Sequence, residues 1–539
     1  MRELSCDVLI VGGGTGGCAA ALAACSMGCH VVIVEETDWI GGQLTSQAVP
    51  PDEHPWIEQF GCTARYRRYR QLVRNHYRDH TPLLREFRED PGLNPGGGWV
   101  SRLCYEPGVG HQVLQRMLAP YIATGQLQVV LEYVPVEAHM DGDCVRAVTC
   151  VSVRSREELT VAAPFVLDAT ELGDMLRLSG TEYVIGAESQ KETDEPNALA
   201  GPAEPQNVQA ITWVFAMAHD EGSDRVLDEP EQYEGWKAFR PPFWPGPLIG
   251  LEDLKPQTNE PRKLPLFAEN GGLGWFNYRQ ILSPSRFEPG TVPHPVTIVN
   301  WPMNDYFLGS VVDVDEDWNP AACDHVPLSG GETSAERLLD AKELSACLLY
   351  WLQTEAPRPD GGAGYPGLYL RPDIMGTDDG FAKAAYIRES RRIVARTTIR
   401  EQDVSAACNP GRDRGREYSD SVGVGAYRID LHPSTSGVAY IDTSSLPFQI
   451  PLGALIPVRV RNLLPAAKNI GTTHITNGCY RMHPVEWNIG EAVGILAGFC
   501  IRRELDPAQV HDSPRLLQEY QSILVSQGVE IAWPQLRAL

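Results

Sequence analysis

The sequence lacks several features that would each indicate a particular class of protein. It has no apolar run of roughly 18 residues, so we expect no transmembrane helix. No basic segment followed by an apolar run precedes the first predicted strand, so we expect no signal peptide. The 13 cysteines include no Cys-X-X-Cys pair, which argues against a zinc ribbon, an iron–sulfur cluster and a disulfide framework. We therefore expect no metal centre, no membrane attachment and a cytoplasmic location.

Positive charge is also scarce. The 46 lysine and arginine residues face 70 aspartate and glutamate residues, and the formal net charge is -24. Binding to nucleic acid or to an anionic membrane surface needs a basic patch, so neither partner is expected. The length of 539 residues and the hydrophobic content of 43% predict two or three domains around a large core.

The amino-terminal segment has the pattern of a strand–helix–strand unit. Residues 6–11 and 30–34 are short apolar runs rich in β-branched side chains, which is typical of buried parallel strands. Residues 15–27, between them, are rich in alanine and predict a helix. Such a unit of about 30 residues is the start of a dinucleotide-binding fold.

The turn of this unit contains the Gly-X-Gly-X-X-Gly pattern at Gly12, Gly14 and Gly17. The pattern permits a tight turn, a close approach to a pyrophosphate and close packing of the helix on the strand. Glu35 ends the second strand, where an acid accepts hydrogen bonds from ribose hydroxyls. The residues predicted to contact the dinucleotide here are Gly12, Gly14, Thr15, Gly16, Gly17, Glu35 and Glu36.

Several later segments resemble one family of flavoproteins. These segments are residues 39–45, 166–170, 386–393, 469–474, 481–484 and 490–494. Together they resemble the FAD-dependent oxidoreductase family, which is related to glutathione-reductase-like and fumarate-reductase-like flavoproteins. The resemblance implies one bound FAD and adds to its contacts Gly41, Gly42, Gln43, Thr45, Ala169, Gly471, Gly490 and Glu491. Glu171 departs from the pattern, because this family usually has glycine there.

The predicted fold class is α/β, with a Rossmann-like FAD-binding domain of three layers. A parallel sheet and a β-meander over residues 127–166 belong to this domain, which we expect to span 1–184 (loop-rich at 46–98) and 441–505. An α+β substrate domain over 185–440 is inserted in it, and capping helices follow over 506–539. Periodicity also predicts helices at 108–124, 333–357 and 380–396, and a solvated basic helix face within 63–80.

The candidate catalytic residues lie in the segment that, by resemblance, passes the flavin. The unperturbed pKa of histidine suits a general base near neutrality, so His474 and His483 are candidates, with a structural hydrogen bond in a tight loop as the alternative for each. Arg481, between them, is a candidate for binding an anionic substrate group or the flavin C2 oxygen.

Three further residues are candidates for substrate binding. Arg388 and Arg391 lie on the predicted helix 380–396, either as a clamp for a carboxylate or as ion-pairing residues at a domain junction. Tyr427 is either a substrate hydrogen-bonding group or a core tyrosine.

We therefore expect an FAD-dependent oxidase or dehydrogenase that removes a hydride from a small polar substrate at a C–O or C–N bond. A second glycine pattern at 362–367 follows Pro-Arg-Pro-Asp and contains Pro366, which indicates a loop. With one valid dinucleotide motif, reoxidation is expected from O2 or another external electron acceptor. Two alternatives stay open: a reductase of a C=C bond with Arg481 or Arg391 as proton donor, and a non-catalytic FAD-binding scaffold. The sequence leaves monomer and homodimer open.

Overall fold

The computed structural model describes residues 2–268, 271–313 and 333–534. Its strands are β1 Arg2–Ser5, β2 Val8–Val11, β3 Val31–Glu35, β4 Leu127–Leu131, β5 Tyr133–Asp141, β6 Cys144–Ser152, β7 Glu158–Ala162, β8 Phe165–Asp168, β9 Tyr183–Val184, β10 Ile211–Thr212, β11 Phe215–His219, β12 Glu252–Leu254, β13 Pro261–Lys263, β14 Gln280–Leu282, β15 Val296–Val299, β16 Asp305–Tyr306, β17 Leu368–Leu370, β18 Arg392–Ile393, β19 Ser421–Gly425, β20 Ile429–Leu431, β21 Ile441–Thr443, β22 Phe448–Pro451 and β23 Leu463–Pro465. Its α-helices are α1 Thr15–Ser26, α2 Ala64–His80, α3 Arg85–Glu89, α4 Pro107–Ala123, α5 Asp174–Ser179, α6 Gln190–Thr193, α7 Tyr233–Ala238, α8 Trp275–Tyr278, α9 Ser334–Thr354, α10 Pro372–Met375, α11 Glu401–Val404, α12 His474–Tyr480, α13 His483–Arg503, α14 Pro507–Asp512 and α15 Pro514–Ser526.

A parallel five-stranded sheet in the order β23-β8-β2-β3-β4 forms the middle layer of the molecule. Side chains alternate across it, as the pleat of a strand requires. In β2, Val8 and Ile10 pack in the same core cluster as α1, whereas Leu9 and Val11 pack against the strands of the meander. The fold class is therefore confirmed as α/β with a Rossmann-like sheet between helices and a β-meander.

The meander β5-β6-β7 is antiparallel, and β1 joins its edge in parallel with β7. The strand β23 returns after the long insertion and pairs with β8, placing Leu464 opposite Leu167. The two ends of the chain thus complete one sheet, in agreement with an interrupted FAD-binding domain. The exact domain boundaries stay a prediction.

The inserted region contains a second sheet in the order β14-β15-β11-β17 and the helix α9. Its core contains Trp236, Trp275 and Trp301, which are buried together. The predicted helices at 108–124 and 333–357 are confirmed as α4 and α9. Residues 314–332 of the predicted insertion lie outside the described residues.

The prediction of a helix over 380–396 is wrong. Most of this segment lacks helix, and β18 pairs with β9. Its backbone is bonded to distant segments, as when the amide of Tyr386 donates to Thr212 O and that of Ile393 to Asn469 O. These non-local bonds satisfy the backbone groups and hold each arginine beside its own buried partner, so the charge spacing was not a helix signal.

The basic helix also differs from its prediction. The helix α2 exists, but one face is buried and includes Arg70 and Arg74. The two guanidinium groups donate to Glu58, and Arg70 also donates to Glu53. These pairs replace solvent as the partner of the arginines and fix the segment of residues 50–60 against α2.

The carboxyl-terminal capping helices are confirmed as α14 and α15, while residues 535–539 lie outside the described residues. Within the described part of the chain, no helix combines the length and the apolar character needed to cross a membrane.

Candidate active site

The glycine-rich turn lies between the end of β2 and the start of α1. Gly12 has a φ of +96°, and a Cβ there would lie 2.3 Å from the carbonyl carbon of Ala169 at the end of β8. A Cβ on Gly17 would lie 2.2 Å from Gly12 O, so the third glycine permits close helix–strand packing. Beside Gly14, by contrast, only Glu171 Oε1 at 3.1 Å and Ala169 O at 3.4 Å come within 4 Å of such an atom. The second glycine is thus less tightly enclosed than Gly12 and Gly17.

The double-glycine segment is tied directly to this turn. The hydroxyl of Thr15 donates to Gly41 O at 2.9 Å, and the amide of Gly41 donates to Gly13 O at 2.7 Å. Thr45 closes the same segment by donating to Ile40 O at 2.6 Å. These bonds hold the chain after β3 against the amino end of α1, as the resemblance implied.

Glu35 lies at the end of β3 and accepts hydrogen bonds from the amide of Gly13 at 2.7 Å and from Thr37. Burial raises the pKa of Glu35 to about 7, although these hydrogen bonds act in the opposite direction. Glu36, the next residue, is exposed. Of the two predicted acids, Glu35 is the one built into the turn.

Three buried charges meet at the amino end of α1. Glu171, where a glycine was expected, forms an ion pair with Lys468, and Lys468 Nζ lies 4.0 Å from Glu486 Oε2. Glu486 Oε1 accepts from the amide of Gly16 at 3.4 Å. Burial raises the pKa of Glu486 to about 7, while Lys468 lowers it. The departure at Glu171 is thus matched by a lysine that the sequence reasoning missed.

Gln43 connects this charge cluster to the next part of the site. Its Nε2 donates to Glu486 Oε2 at 3.1 Å and to the backbone oxygen of Arg481 at 3.2 Å. Gln43 follows Gly42, which has a left-handed φ of +53°.

Two predicted contacts lie where α13 crosses α1. A Cβ on Gly490 would lie 2.0 Å from Gly16 O, so the missing side chain permits the crossing. Glu491 accepts hydrogen bonds from Thr63 and Trp487 and pairs with Arg65. The predicted contacts of Gly490 and Glu491 with the cofactor stay predictions, and the structure gives both residues a packing role.

One face of α12 and the residue after it runs along the extended segment at 386–389. The side chains of His474, Asn477 and Arg481 are spaced as neighbours on a helix face. The contacts along this face are His474–Glu389, Asn477–Arg388 and Arg481–Tyr386. The loop before α12 includes Gly471, where a Cβ would lie 2.5 Å from that of Ala395.

His474 is buried, and its Nδ1 lies 2.9 Å from Glu389 Oε2. Its backbone amide donates to Glu188 at 2.9 Å. Burial alone would raise the pKa of Glu389, but the charges of His474 and Arg392 lower it to about 2. An ionised carboxylate therefore holds the ring through Nδ1 and leaves Nε2 outside this contact.

His483 has a different environment. Its Nδ1 accepts from the amide of Asp52 at 3.0 Å, so the neutral ring carries its proton on Nε2. Burial and the positive charge of Arg279 lower the pKa of His483 to about 3. The ring is a hydrogen-bond donor rather than a proton acceptor, which argues against His483 as the base.

The two arginines predicted to bind substrate are already engaged. Arg388 pairs with Asp305 at 3.1 Å, and Arg391 pairs with Asp174 at 3.1 Å and Asp313 at 2.8 Å. Both guanidinium groups also donate to backbone oxygens. The structure therefore favours ion pairing between segments over a substrate clamp.

Tyr427 lies near Asp52 and Arg279, and its hydroxyl has no hydrogen bond within the described residues. Burial raises the pKa of Tyr427, which keeps the hydroxyl protonated and able to donate. Its place agrees with the predicted substrate contact, which stays a prediction.

Sequence reasoning missed two chemically important residues. His432 Nδ1 lies 2.5 Å from Asp305 Oδ2, and its ring lines the same pocket as His474. Arg279 is buried beside Asp52, 3.9 Å away. No motif surrounds either residue in the sequence, and their partners are distant along the chain.

The residues present fit a bound FAD. Buried polar atoms without a protein partner gather around the turn and the start of α13: Gln43 Oε1, Glu171 Oε1, Arg481 Nε and His483 Nε2. The N-cap residue of α1, Gly14, supplies no side-chain cap, and the amides at a helix amino end are suited to a pyrophosphate. The fold and the site thus define an FAD-binding flavoprotein.

Comparison with protein families gives the same result. The family model described as FAD dependent oxidoreductase matches residues 7–524. The chain belongs to this family, so it is an FAD-dependent oxidoreductase with FAD as its cofactor. The comparison with curated proteins finds no significant match.

Solved structures show similarity at low sequence identity. A geranylgeranyl bacteriochlorophyll reductase-like protein from Thermoplasma acidophilum is 11% identical, with a TM-score of 0.33, covering 98% of this chain and 85% of that one. The anhydrotetracycline hydroxylase OxyS from Streptomyces rimosus is 12% identical, with a TM-score of 0.33, covering 97% and 66%. The L-proline dehydrogenase from P. horikoshii is 14% identical, with a TM-score of 0.18. The match covers 36% of this chain and only 26% of the length of the dehydrogenase.

Proposed function

We propose that this enzyme oxidises a small polar substrate at a C–O or C–N bond, with a histidine as the general base. Bound FAD supplies the two-electron oxidising chemistry by accepting a hydride at N5. The chain's own residues bind and orient the substrate and remove the proton from its hydroxyl or amino group. Electrons then leave to O2 or to another external acceptor.

The face of α12 carries this proposal. It presents a histidine held by a carboxylate, His474, and an arginine, Arg481, on one surface. Seven residues of helix separate the two side chains, or about 10 Å along the axis. The chain continues from Arg481 into α13, which packs on the dinucleotide-binding helix α1. The face of α12 therefore offers a base and a cationic group for the proposed reaction.

His474 is our first candidate for the base. The ionised carboxylate of Glu389 accepts a hydrogen bond from Nδ1–H, so the lone pair of Nε2 is available for the substrate. The same carboxylate then stabilises the imidazolium that forms. Arg392 pairs with Glu389 from the other side and keeps it in place.

His432 is the second candidate for the same role. Asp305 holds its Nδ1, and the two histidines line one pocket together with Glu188, Asn207 and Leu431. Arg388 and Thr212 bind the other oxygen of Asp305, so the dyad is as well supported as that of His474. Substitution of each histidine distinguishes the two candidates, as described in the Discussion.

The direct test is anaerobic reduction of the FAD-loaded enzyme by candidate alcohols, amines, hydroxy acids and amino acids. We expect the visible flavin absorption to bleach with at least one of them and to return when air is admitted. Bleaching by dithionite alone, with return of colour on adding an enoate, would instead support reduction of a C=C bond. No response to any substrate or acceptor would support the scaffold alternative.

A further inference from the structure

Arg279 differs from the other buried arginines of this site. Only 10% of its side chain is exposed, yet its Nε and Nη1 atoms have no hydrogen-bond partner. Its nearest carboxylate oxygen, on Asp52, is 3.9 Å away, which is too long for a hydrogen bond. Within the described residues, Arg70, Arg388 and Arg392 each donate directly to a carboxylate or a carbonyl.

A buried cation without such partners is costly, since its desolvation is not compensated. Burial alone would lower the pKa of Arg279, but Asp52 and the neighbouring tyrosines raise it, so the group stays charged. The guanidinium group of Arg279 therefore lacks a hydrogen-bonded anion between its donor nitrogens.

The groups around Arg279 are Asp52, the tyrosines Tyr278, Tyr386 and Tyr427, and His483. Asp52 binds His483 through its backbone, and the guanidinium of Arg279 contributes to the low pKa of that histidine. Tyr278 and Tyr427 have hydroxyls without a hydrogen bond in the described residues. Arg481 lies near the same tyrosine and aspartate groups, with its Nε also unpaired. Two arginines with unpaired donor atoms therefore lie near the same groups.

We propose that Arg279 binds the carboxylate of the substrate, so that the oxidised molecule is a hydroxy acid or an amino acid. The planar fork of a guanidinium matches a carboxylate in a bidentate arrangement. Arg481 and the free tyrosine hydroxyls supply further donors. The carboxylates of Asp52 and Asp430 stand near these donors and disfavour a dianion such as phosphate. This inference rests on the proposed oxidation and names its substrate class.

The test compares acids with their amides in the FAD-loaded full-length protein. The probes are acetate, lactate, alanine and phenyllactate, each paired with its amide, and binding is followed by the flavin spectrum and by calorimetry. We expect at least one acid to bind more tightly than its amide by roughly 10- to 100-fold, as for hydrogen bonds to a charged group. Lactate and phenyllactate against alanine distinguish a hydroxy acid from an amino acid.

Substitution then assigns the preference to one residue. Arg279→Met should abolish the difference between acid and amide while the protein keeps its FAD, and Arg279→Lys should retain part of it. The matched control is Arg286→Met. Arg286 is a half-buried arginine seven residues further along the chain, and it stacks on Phe87. Equal binding of all acids and amides by the wild type, or a preference that survives in Arg279→Met, would overturn the proposal. Tight acid binding without flavin reduction would leave it standing and contradict the proposed oxidation.

Discussion

At the scale of single residues, one hydrogen bond to each candidate histidine determines which of its ring nitrogens carries the proton. Glu389 fixes the ring of His474 through Nδ1, while the amide of Asp52 fixes the ring of His483 in the opposite tautomer. Two histidines nine positions apart in the sequence therefore have opposite hydrogen-bonding abilities. The sequence identified both as candidates but contained nothing to separate them.

The first prediction concerns the base. His474→Gln should lower the rate of flavin reduction by about 10²- to 10⁴-fold, the usual contribution of a general base. Glu389→Gln should lower it less and should change the pH profile, because it removes orientation and charge but leaves the imidazole. Stopped-flow reduction measures both, and His139→Gln on the exposed meander is the control. Full activity in His474→Gln, with loss in His432→Gln, would transfer the role to His432.

Arg279 and His432 show why part of the site could not be predicted from the sequence. His432 is 127 positions from Asp305, and Arg279 is 107 positions from Tyr386 and 202 positions from Arg481. Neither residue lies in a local pattern, whereas Gly12, Gly14 and Glu35 lie within one strand–turn–helix–strand unit. Patterns of neighbouring residues can be recognised in a single sequence. Contacts between residues far apart in the chain cannot.

At the scale of elements, α13 packs on α1 and so connects the glycine-rich turn with the face of α12 that carries His474 and Arg481. Gly490 and Gly494 lie one turn apart on α13, and each meets the backbone of α1. The resemblance assigned Gly490 to the cofactor, and that contact stays a prediction. The structure shows that Gly490 and Gly494 let the two helices approach closely.

The second prediction tests this crossing. Gly490→Ala places a Cβ about 2.0 Å from Gly16 O, so the helices must separate. We expect a lower melting temperature, a cost of about 1–3 kcal/mol or more from overpacking, and loss of bound FAD. Gly108→Ala in α4 is the matched control, since its Cβ would meet only Trp39 at 3.5 Å and Ile374 O at 4.0 Å. An unchanged melting temperature and full FAD content in Gly490→Ala would contradict the packing role.

The third prediction concerns α2, which supports the segment that carries Asp52. Burial would raise the pKa of Glu58, but hydrogen bonds from Arg70 and Arg74 lower it to about 2. Because this pKa is lower in the folded state, the stabilisation exists above the ordinary value of about 4.3 and is lost as pH falls toward about 2. We expect the melting temperature to fall in this window in the wild type and to fall less in Glu58→Gln. Identical pH profiles would contradict it.

At the scale of the whole molecule, the three-layer domain could be predicted because each layer has a local signature. The apolar strands, the glycine turn and the meander each appear as a pattern within a few tens of residues. The segment at 380–396 could not be predicted, because its backbone partners belong to several distant parts of the chain. Its charged periodicity is the result of separate ion pairs with Asp305, Asp174 and Glu188.

The fourth prediction concerns how FAD binding depends on pH through the buried carboxyl group of Glu486. By the resemblance, FAD would place its pyrophosphate at the amino end of α1, where Glu486 has a pKa raised by burial to about 7. A nearby phosphate charge raises that pKa further, so FAD binding above pH 7 takes up a proton. We therefore expect the FAD dissociation constant to be flat below about pH 7 and to increase above it by up to about tenfold per pH unit. Fluorescence titration measures this, and Glu486→Gln should flatten the curve. A pH profile unchanged in Glu486→Gln would show that another group takes up the proton.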